Sequence, residues 1–432
     1  MKLFSTNKKS PLATFEKAVM QGLAEDGGLF MPTEIPTLPK EFFEKISDLS
    51  FHEIAFEVAK TLIQDIPEKD LKKIVEESIN FDAPLIPVTE NIYSLELFHG
   101  PTLAFKDFGA RFMARVMSYF INKSDKKITI IVATSGDTGS AVASGVYNVP
   151  GIRVFLLYPS GKVSKIQEQQ LTTMGGNIHA LEIDGTFDDC QRLVKSAFVD
   201  EELKNIFSEN NDSLGSANSI NIARLIPQSF YYFHAYAQLK NKDHAIFSIP
   251  SGNLGNLTAG LIAKKMGLPV KKFIAANNSN NSFTEYLRTG NFTAKPSVPT
   301  ISNAMDVGNP SNFFRILELY ENNLENIRQD ISSMSFTDSE TAAAIKEVYS
   351  KYNYLMDPHG AIAYLGLKSF SPQGIFFETA HPAKFLDVVE PIIETKIQIP
   401  ERLASCLTKT KITTKLSKEF TDFKNFLAKN AK

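Results

Sequence analysis

The sequence predicts an α/β fold with open, mostly parallel, doubly wound sheet and a mainly helical segment in front of it. Three observations point there. From about residue 125 onward, short apolar runs alternate with stretches of helical apolar spacing. The runs are continuous in Ile, Val, Leu and Phe, the pattern of parallel strands buried on both faces. Several runs end in Gly-, Ser-, Thr- or Asn-rich turns that open a helix, as βα units do.

Taken in order, "ATFEKAVMQGLAEDGGLF" (13–30) reads as a helix stopped by Gly27 and Gly28. "PTEIPTLPK" (32–40) is an irregular connection, because three prolines break any ladder. Residues 50–63 and 68–79 carry helical spacing. "ITIIVAT" (128–134), "IRVFLLY" (152–158) and "IHALEID" (178–184) follow as strands, the last leading into a Thr186/Asp189 capping box. "HAIFSIP" (244–250), "VKKFIAAN" (270–277) and "GIFFETA" (374–380) close the series. A Lys/Thr-rich tail ends in an amphipathic helix at 415–428. The expected organisation is a helical domain at 1–95, a core at 96–400 with an inner mobile subdomain at about 125–235, and a tail at 401–432.

Composition narrows the function. With 432 residues and 43% hydrophobic content the chain can bury a large core, and 46 basic against 48 acidic residues leave a net charge of −2. That balance gives no nucleic-acid or membrane surface through bulk charge. The longest apolar runs are too short to span a bilayer, and no apolar segment of a secretory signal follows the basic start. Two cysteines, Cys190 and Cys406, make neither a disulfide framework nor a metal-ligand spacing, so no metal is expected. The default is a cytoplasmic protein, a monomer or small homo-oligomer.

One lysine stands out. Lys106 in "FHGPTLAFKDFGARF" (98–112) lies among glycine, proline and aromatic residues just before a helix. It is either a packed stem with its ammonium in water or an amine held out of water for chemistry. Four stretches sit where ligands bind in open α/β sheets, beyond the carboxyl ends of strands. "SGNLGN" (251–256) lets backbone N–H groups approach an anion at a helix start, or is an ordinary turn. "TSGDTGS" (134–140) supplies Thr134, Ser135, Thr138 and Asp137, or merely caps a helix. "SANSINIARLIPQ" (216–228) offers Asn218, Ser219 and Arg224, the last suited to phosphate. "ETAHPAKF" (378–385) places Thr379 and His381 at the end of the last strand, and His381, like His359, reads as a structural helix-start residue. Together they are expected to converge on one edge of one sheet.

"HGPTLAFKDFG", "SGDTGSA", "NSINIARLIPQ", "SGNLGN" and "TAHPAKF" resemble the threonine synthase family, pyridoxal-phosphate enzymes of fold type II. "TFEKAVMQGLAEDGGLFMP" is similar to that family's N-terminal segment, and the motifs keep the family's order from about residue 14 to 385. Leu254 stands where relatives often have Phe. The resemblance implies pyridoxal 5′-phosphate anchored on Lys106 beside Phe105. Gly252, Asn253, Leu254, Gly255 and Asn256 would hold its phosphate, Asp137 would lie near its 3′ oxygen, and Thr379 would bond its pyridine nitrogen. Thr134, Ser135, Thr138, Asn218, Ser219 and Arg224 would bind the phosphate of the substrate, O-phospho-L-homoserine, which is converted with water to L-threonine and phosphate. Rival readings are a threonine or serine dehydratase, for which Asn218-Ser219 and Arg224 would have no task, and a non-catalytic relative. An NAD-binding protein would need a G-x-G-x-x-G after the first strand, which is missing.

Overall fold

The computed structural model describes residues 1–124, 126–134 and 136–431, and in it the apolar runs sort into two large sheets. The six-stranded sheet runs Ile331–Ser335, Lys272–Asn277, Ile246–Pro250, Gly374–Glu378, Ile92–Glu96, Leu85–Pro87. Its neighbours are parallel except the last pair, which is antiparallel. The five-stranded sheet runs Thr414–Ser417, Ile178–Asp184, Ile152–Pro159, Lys127–Ala133, Asp212–Gly215, and is parallel throughout. The expected single edge is therefore corrected. "SANSINIARLIPQ" and "TSGDTGS" leave strands of the five-stranded sheet, while "SGNLGN" and "ETAHPAKF" leave strands of the six-stranded one.

The continuous apolar runs bury both faces, as their composition requires. Ile130, Val132, Val154 and Leu156 enter a core shared with the helix Lys106–Ser124 and the helix Ile222–Gln238. Their neighbours Ile131, Phe155 and Leu157 face a second cluster formed with Leu193, Val194, Phe423 and Leu427. The six-stranded sheet is covered on one side by the helices Asp338–Tyr352 and Pro358–Phe370, which pack on Ile274 and Phe376.

Three local expectations differ. The first helix spans Phe15–Gln21 and stops at Gly22, whose φ of 78° any side chain would strain, rather than at Gly27 and Gly28. The front segment, expected to be mainly helical, adds a small antiparallel sheet of Lys2–Ser5, Ala13–Thr14 and Phe30–Pro32 to its helices. The tail gives a strand, Thr414–Ser417, before its helix Phe420–Asn430. The capping box at Thr186 and Asp189 is present, as expected. No helix among the described residues is long and apolar enough to cross a membrane.

Candidate active site

The segment that delivers Lys106 is stitched to the end of the strand Gly374–Glu378. The Phe105 N–H donates to the Thr379 carbonyl at 2.9 Å, and the His381 N–H to the Leu103 carbonyl at 3.0 Å. Ala104 bridges Ala380 between them. Leu103 takes a left-handed φ of 57°, which turns the chain from this ladder into the helix that begins at Lys106. Asp107 fixes that start. Its buried carboxylate accepts from the Thr102 N–H at 2.8 Å and the Thr102 hydroxyl at 2.7 Å. A Cβ on Gly100 would lie 2.4 Å from that carboxylate, so the turn requires glycine. Burial pushes the Asp107 carboxyl up to about 6 in spite of the two Thr102 bonds.

The Lys106 side chain is partly buried, with its amine 6.0 Å from the centre of the Phe105 ring. Burial, reinforced by Arg224 and Lys384, lowers its pKa to about 8, and Asp137 pulls the other way. Such an amine is available as a nucleophile or base near neutral pH.

Asp137 opens the helix Asp137–Val146 in the turn after the strand Lys127–Ala133. It is buried and ion-paired at 2.6 Å with Lys384, which is itself fully buried. Gln167 donates a second bond at 3.1 Å. Burial alone would raise this carboxyl; Lys384 first and Lys106 second hold it well below the usual carboxylate range. Lys384 also donates to the Thr102 carbonyl at 2.8 Å. It lies within the quoted "TAHPAKF" but was given no role by sequence reasoning. Its one local hint is a small and an aromatic neighbour, Ala383 and Phe385, and that hint says nothing of its distant partner.

Gly252–Asn256 form the turn into the helix Gly255–Lys265. Leu254 is left-handed with φ 59°, and a Cβ on Gly252 would come 2.8 Å from the Met305 Cα. The loop is held from outside. Asn253 donates to the Ser219 hydroxyl at 2.7 Å and accepts from the Ser311 N–H at 2.6 Å, and its carbonyl accepts from Asn312 at 2.9 Å. Asn256 accepts from the hydroxyls of Tyr231 at 2.9 Å and Tyr232 at 2.8 Å, leaving its own buried amide nitrogen without a partner among the described residues. The helix N-terminus thus presents free backbone donors in a braced frame.

Arg224 lies on the same helix as Tyr231 and Tyr232 and is 2% exposed, so its contacts decide its role. It donates to the Ala217 carbonyl at 2.6 Å, while its Nε has no partner among the described residues. Among the described residues no carboxylate pairs with it, and burial pulls its pKa down to about 10. A buried guanidinium with an idle donor and no carboxylate in direct contact among the described residues, Asp107 acting only from a distance, calls for an anionic ligand. Arg315 is the instructive contrast. It is fully buried, but carbonyls of Phe30 and Ile220 and the Asn312 side chain take up its donors. It braces the loop below Asn253 instead of facing a ligand, a role that no local sequence pattern announces.

The remaining sequence candidates divide. Ser219 is tied to Asn253, which joins the "NSINIARLIPQ" turn to the glycine loop across the two sheets. Thr379 is buried beside the Phe105 backbone, and its hydroxyl has no hydrogen-bond partner among the described residues. Thr134 spends its hydroxyl locally, accepting from the N–H groups of Gly136 at 3.1 Å and Gly139 at 2.9 Å. Asn218 caps its own turn through its carbonyl, which accepts from the Asn221 N–H at 3.1 Å. Thr138 is partly exposed with no bond among the described residues, and Ser135 lies outside them. His381 caps the turn Pro382–Lys384 by accepting from the Ala383 N–H at 3.1 Å, and burial pushes its pKa down to about 4.

These residues fit pyridoxal phosphate. There is a poised lysine, a braced glycine loop at a helix start, an open Thr379 hydroxyl, and idle buried donors on Arg224 and Asn256. The comparisons agree. The family described as pyridoxal-phosphate dependent enzyme matches residues 83–375. Fold and site therefore define a pyridoxal-phosphate-dependent enzyme of fold type II.

The threonine synthase N terminus family matches residues 2–79. The chain is 45% identical to threonine synthase of Haemophilus influenzae over the full length of both, and 43% identical to that of Escherichia coli over 94% of each. The crystal structure of threonine synthase from Escherichia coli superposes over all of both chains with a TM-score of 0.92 at 40% identity. A PLP-bound threonine synthase from Brucella melitensis gives 0.93 at 36%, again over all of both chains. A maize serine racemase, at 0.53 and 15%, shares the fold alone. The chain belongs to the threonine synthase family.

Proposed function

We propose that the chain converts O-phospho-L-homoserine and water to L-threonine and phosphate in a reducing, cytoplasmic compartment. The observation that supports this reading is two separate sets of donors near one poised lysine: the glycine loop with its helix N-terminus, and the buried Arg224 with an Nε that has no partner among the described residues. A dehydratase needs only the first. The unpaired cysteines, Cys190 buried and Cys406 partly exposed, fit the compartment.

Lys106 would anchor the cofactor, the loop Gly252–Asn256 would hold its phosphate, Thr379 would bond its ring nitrogen, and Asp137 would lie near its ring oxygen. Bound there, the cofactor supplies an electron sink for negative charge that develops on substrate carbon. A neutral hydroxyl at position 379, in place of a carboxylate, would favour an uncharged ring nitrogen and a milder sink. When the substrate amine takes its place, the Lys106 amine is free to remove the α proton and then to move a proton from the β carbon, so that phosphate can leave the γ carbon, which takes up a proton to become the methyl group. Arg224, with Ser219 and Asn218 at the neighbouring turn, receives the phosphate as its bond to the γ carbon breaks. Water then adds its hydroxyl at the β carbon, and the α carbon takes back a proton. The water must arrive after phosphate has left, so the unit built on the strands between 127 and 215 is assigned to close over the substrate. Phe105 shields the amine from water meanwhile.

The direct test is product analysis. Incubation with O-phospho-L-homoserine should release phosphate and threonine in equal amounts, without ammonia or a keto acid. Arg224→Ala should lose at least about 100-fold in kcat/KM, of the order of a lost charge-assisted contact to a leaving anion, while keeping the visible absorbance of bound cofactor. Release of ammonia instead of phosphate would make the chain a dehydratase.

A further inference from the structure

We propose that Lys384 is a positioning residue for this reaction: it neutralises Asp137 so that the Lys106 amine faces a balanced pair of charges and not a bare carboxylate. The proposal rests on Lys106 being the anchor and base, and takes that reading one residue further.

The geometry has three parts. Lys384 reaches Asp137 at 2.6 Å with both side chains buried, so the pair is sheltered from screening by water. It also donates to the Thr102 carbonyl at 2.8 Å, and Thr102 in turn binds Asp107, the residue after Lys106. Lys384 therefore fixes the turn that delivers Lys106 and the carboxylate that faces it. Lastly, it joins the two sheets, because Asp137 follows a strand of one and Lys384 a strand of the other.

The charges around Lys106 come from every side of the site. Asp137 belongs to the turn after Lys127–Ala133, Arg224 to the helix Ile222–Gln238, and Lys384 to the turn after Gly374–Glu378. Asp107, on the same helix as Lys106, is influenced by Lys384 and exerts its own attraction on Arg224. Asp137 is the only one of the three groups acting on Lys106 that favours its protonated form. The N-terminus of its helix and Gln167 keep that carboxylate ionised beside Lys384. Without Lys384, the buried carboxylate would turn to Lys106 as its remaining cation and hold the proton there.

The test compares full-length parent, Lys384→Met, Lys384→Arg and Asp137→Asn by two readouts. One is the pH dependence of the rate at which cofactor-free protein captures added pyridoxal 5′-phosphate, followed by visible absorbance. The other is the pH profile of kcat for the holoenzyme. In Lys384→Met both midpoints should rise by about one pH unit or more, so that activity near neutral pH falls by about tenfold and recovers in alkali. Lys384→Arg should stay close to the parent. Asp137→Asn should move the capture midpoint downward, and this holds the proposal to account even if Lys384→Met does not fold. An unmoved midpoint in either variant, or a loss in Lys384→Met that is equal at all pH values, would overturn the proposal. A failure of the parent reading shows itself separately, as cofactor bound to a lysine other than Lys106.

Discussion

Behind Thr379, at the scale of single residues, sits a buried acid pair that the proposed reaction does not use. Asp357 accepts from the His359 backbone at 2.7 Å and approaches the His359 ring at 2.5 Å, and these contacts hold its carboxyl below the usual range against the opposing effect of burial. Glu378 goes the other way: burial first, then the charge of Asp357, raise its pKa well above 4.5, so it stays protonated. A carboxyl raised on folding lends its full stability below the unfolded-state pKa. That contribution drains away, at about 1.4 kcal/mol per pH unit, as pH climbs toward the folded-state value. Glu378→Gln keeps the size and an amide hydrogen donor but cannot ionise. We expect its melting temperature to fall less than the parent's between pH 6 and pH 8. Parallel decline in the two proteins would show that Glu378 is not the group responsible. At this scale the sequence was informative where a residue is chemically out of place. Lys106 among aromatic and small residues is such a case, and so is the turn Asn218-Ser219 with Arg224 in the helix that follows it. Lys384 escaped because its meaning depends on Asp137, 247 positions away, and no local pattern reports a buried pair of that separation.

Elements place these groups. The turn Gly252–Asn256 can present its backbone donors only because Gly252 has no Cβ to strike Met305 and Leu254 accepts a left-handed conformation. Gly252→Ala puts an atom 2.8 Å from backbone, which no rotamer change relieves, so the loop itself must shift. We expect the variant to fold and to bind pyridoxal 5′-phosphate at least tenfold more weakly, measured by equilibrium dialysis; parent-like affinity would separate the loop from the cofactor. The strands of both sheets were largely legible because two-sided burial forces unbroken apolar runs. Element ends were less so. Gly27 and Gly28 looked like the stop of the first helix, yet Gly22 ends it, since packing brings Ser216 within 3.3 Å of where its Cβ would be and a left-handed turn suits it. Short strands such as Asp212–Gly215 and Thr414–Ser417 carry too few apolar residues to announce themselves.

The whole molecule sets how the two sheets meet. Their separation was invisible in the sequence because strand pairing is a long-range choice: Gly374–Glu378 inserts between Ile246–Pro250 and Ile92–Glu96, and the tail joins a sheet whose other strands lie some two hundred residues earlier. That tail completes the smaller sheet. The Ile412 N–H donates to the Thr172 carbonyl at 2.8 Å, Thr414–Ser417 pairs along Leu181–Asp184, and Phe423 and Leu427 are fully buried on its outer face. Burial of two such side chains is worth roughly 3–6 kcal/mol. Ending the chain after Lys411 would also turn Ile178–Asp184 into an unprotected edge. We expect such a truncation to lower the urea midpoint and to speed hydrogen exchange in Ile178–Asp184 before it does so in Ile246–Pro250. Simultaneous loss of protection in both strands would mean that the sheets unfold as one unit.

The central claim, that Lys106 carries the cofactor, is tested by reducing the holoenzyme with borohydride, digesting it and mapping the lysine that bears the pyridoxyl group. We expect the label on Lys106 alone, and no label on the Lys106→Ala variant. Label on Lys384, or on any other lysine, would contradict the assignment.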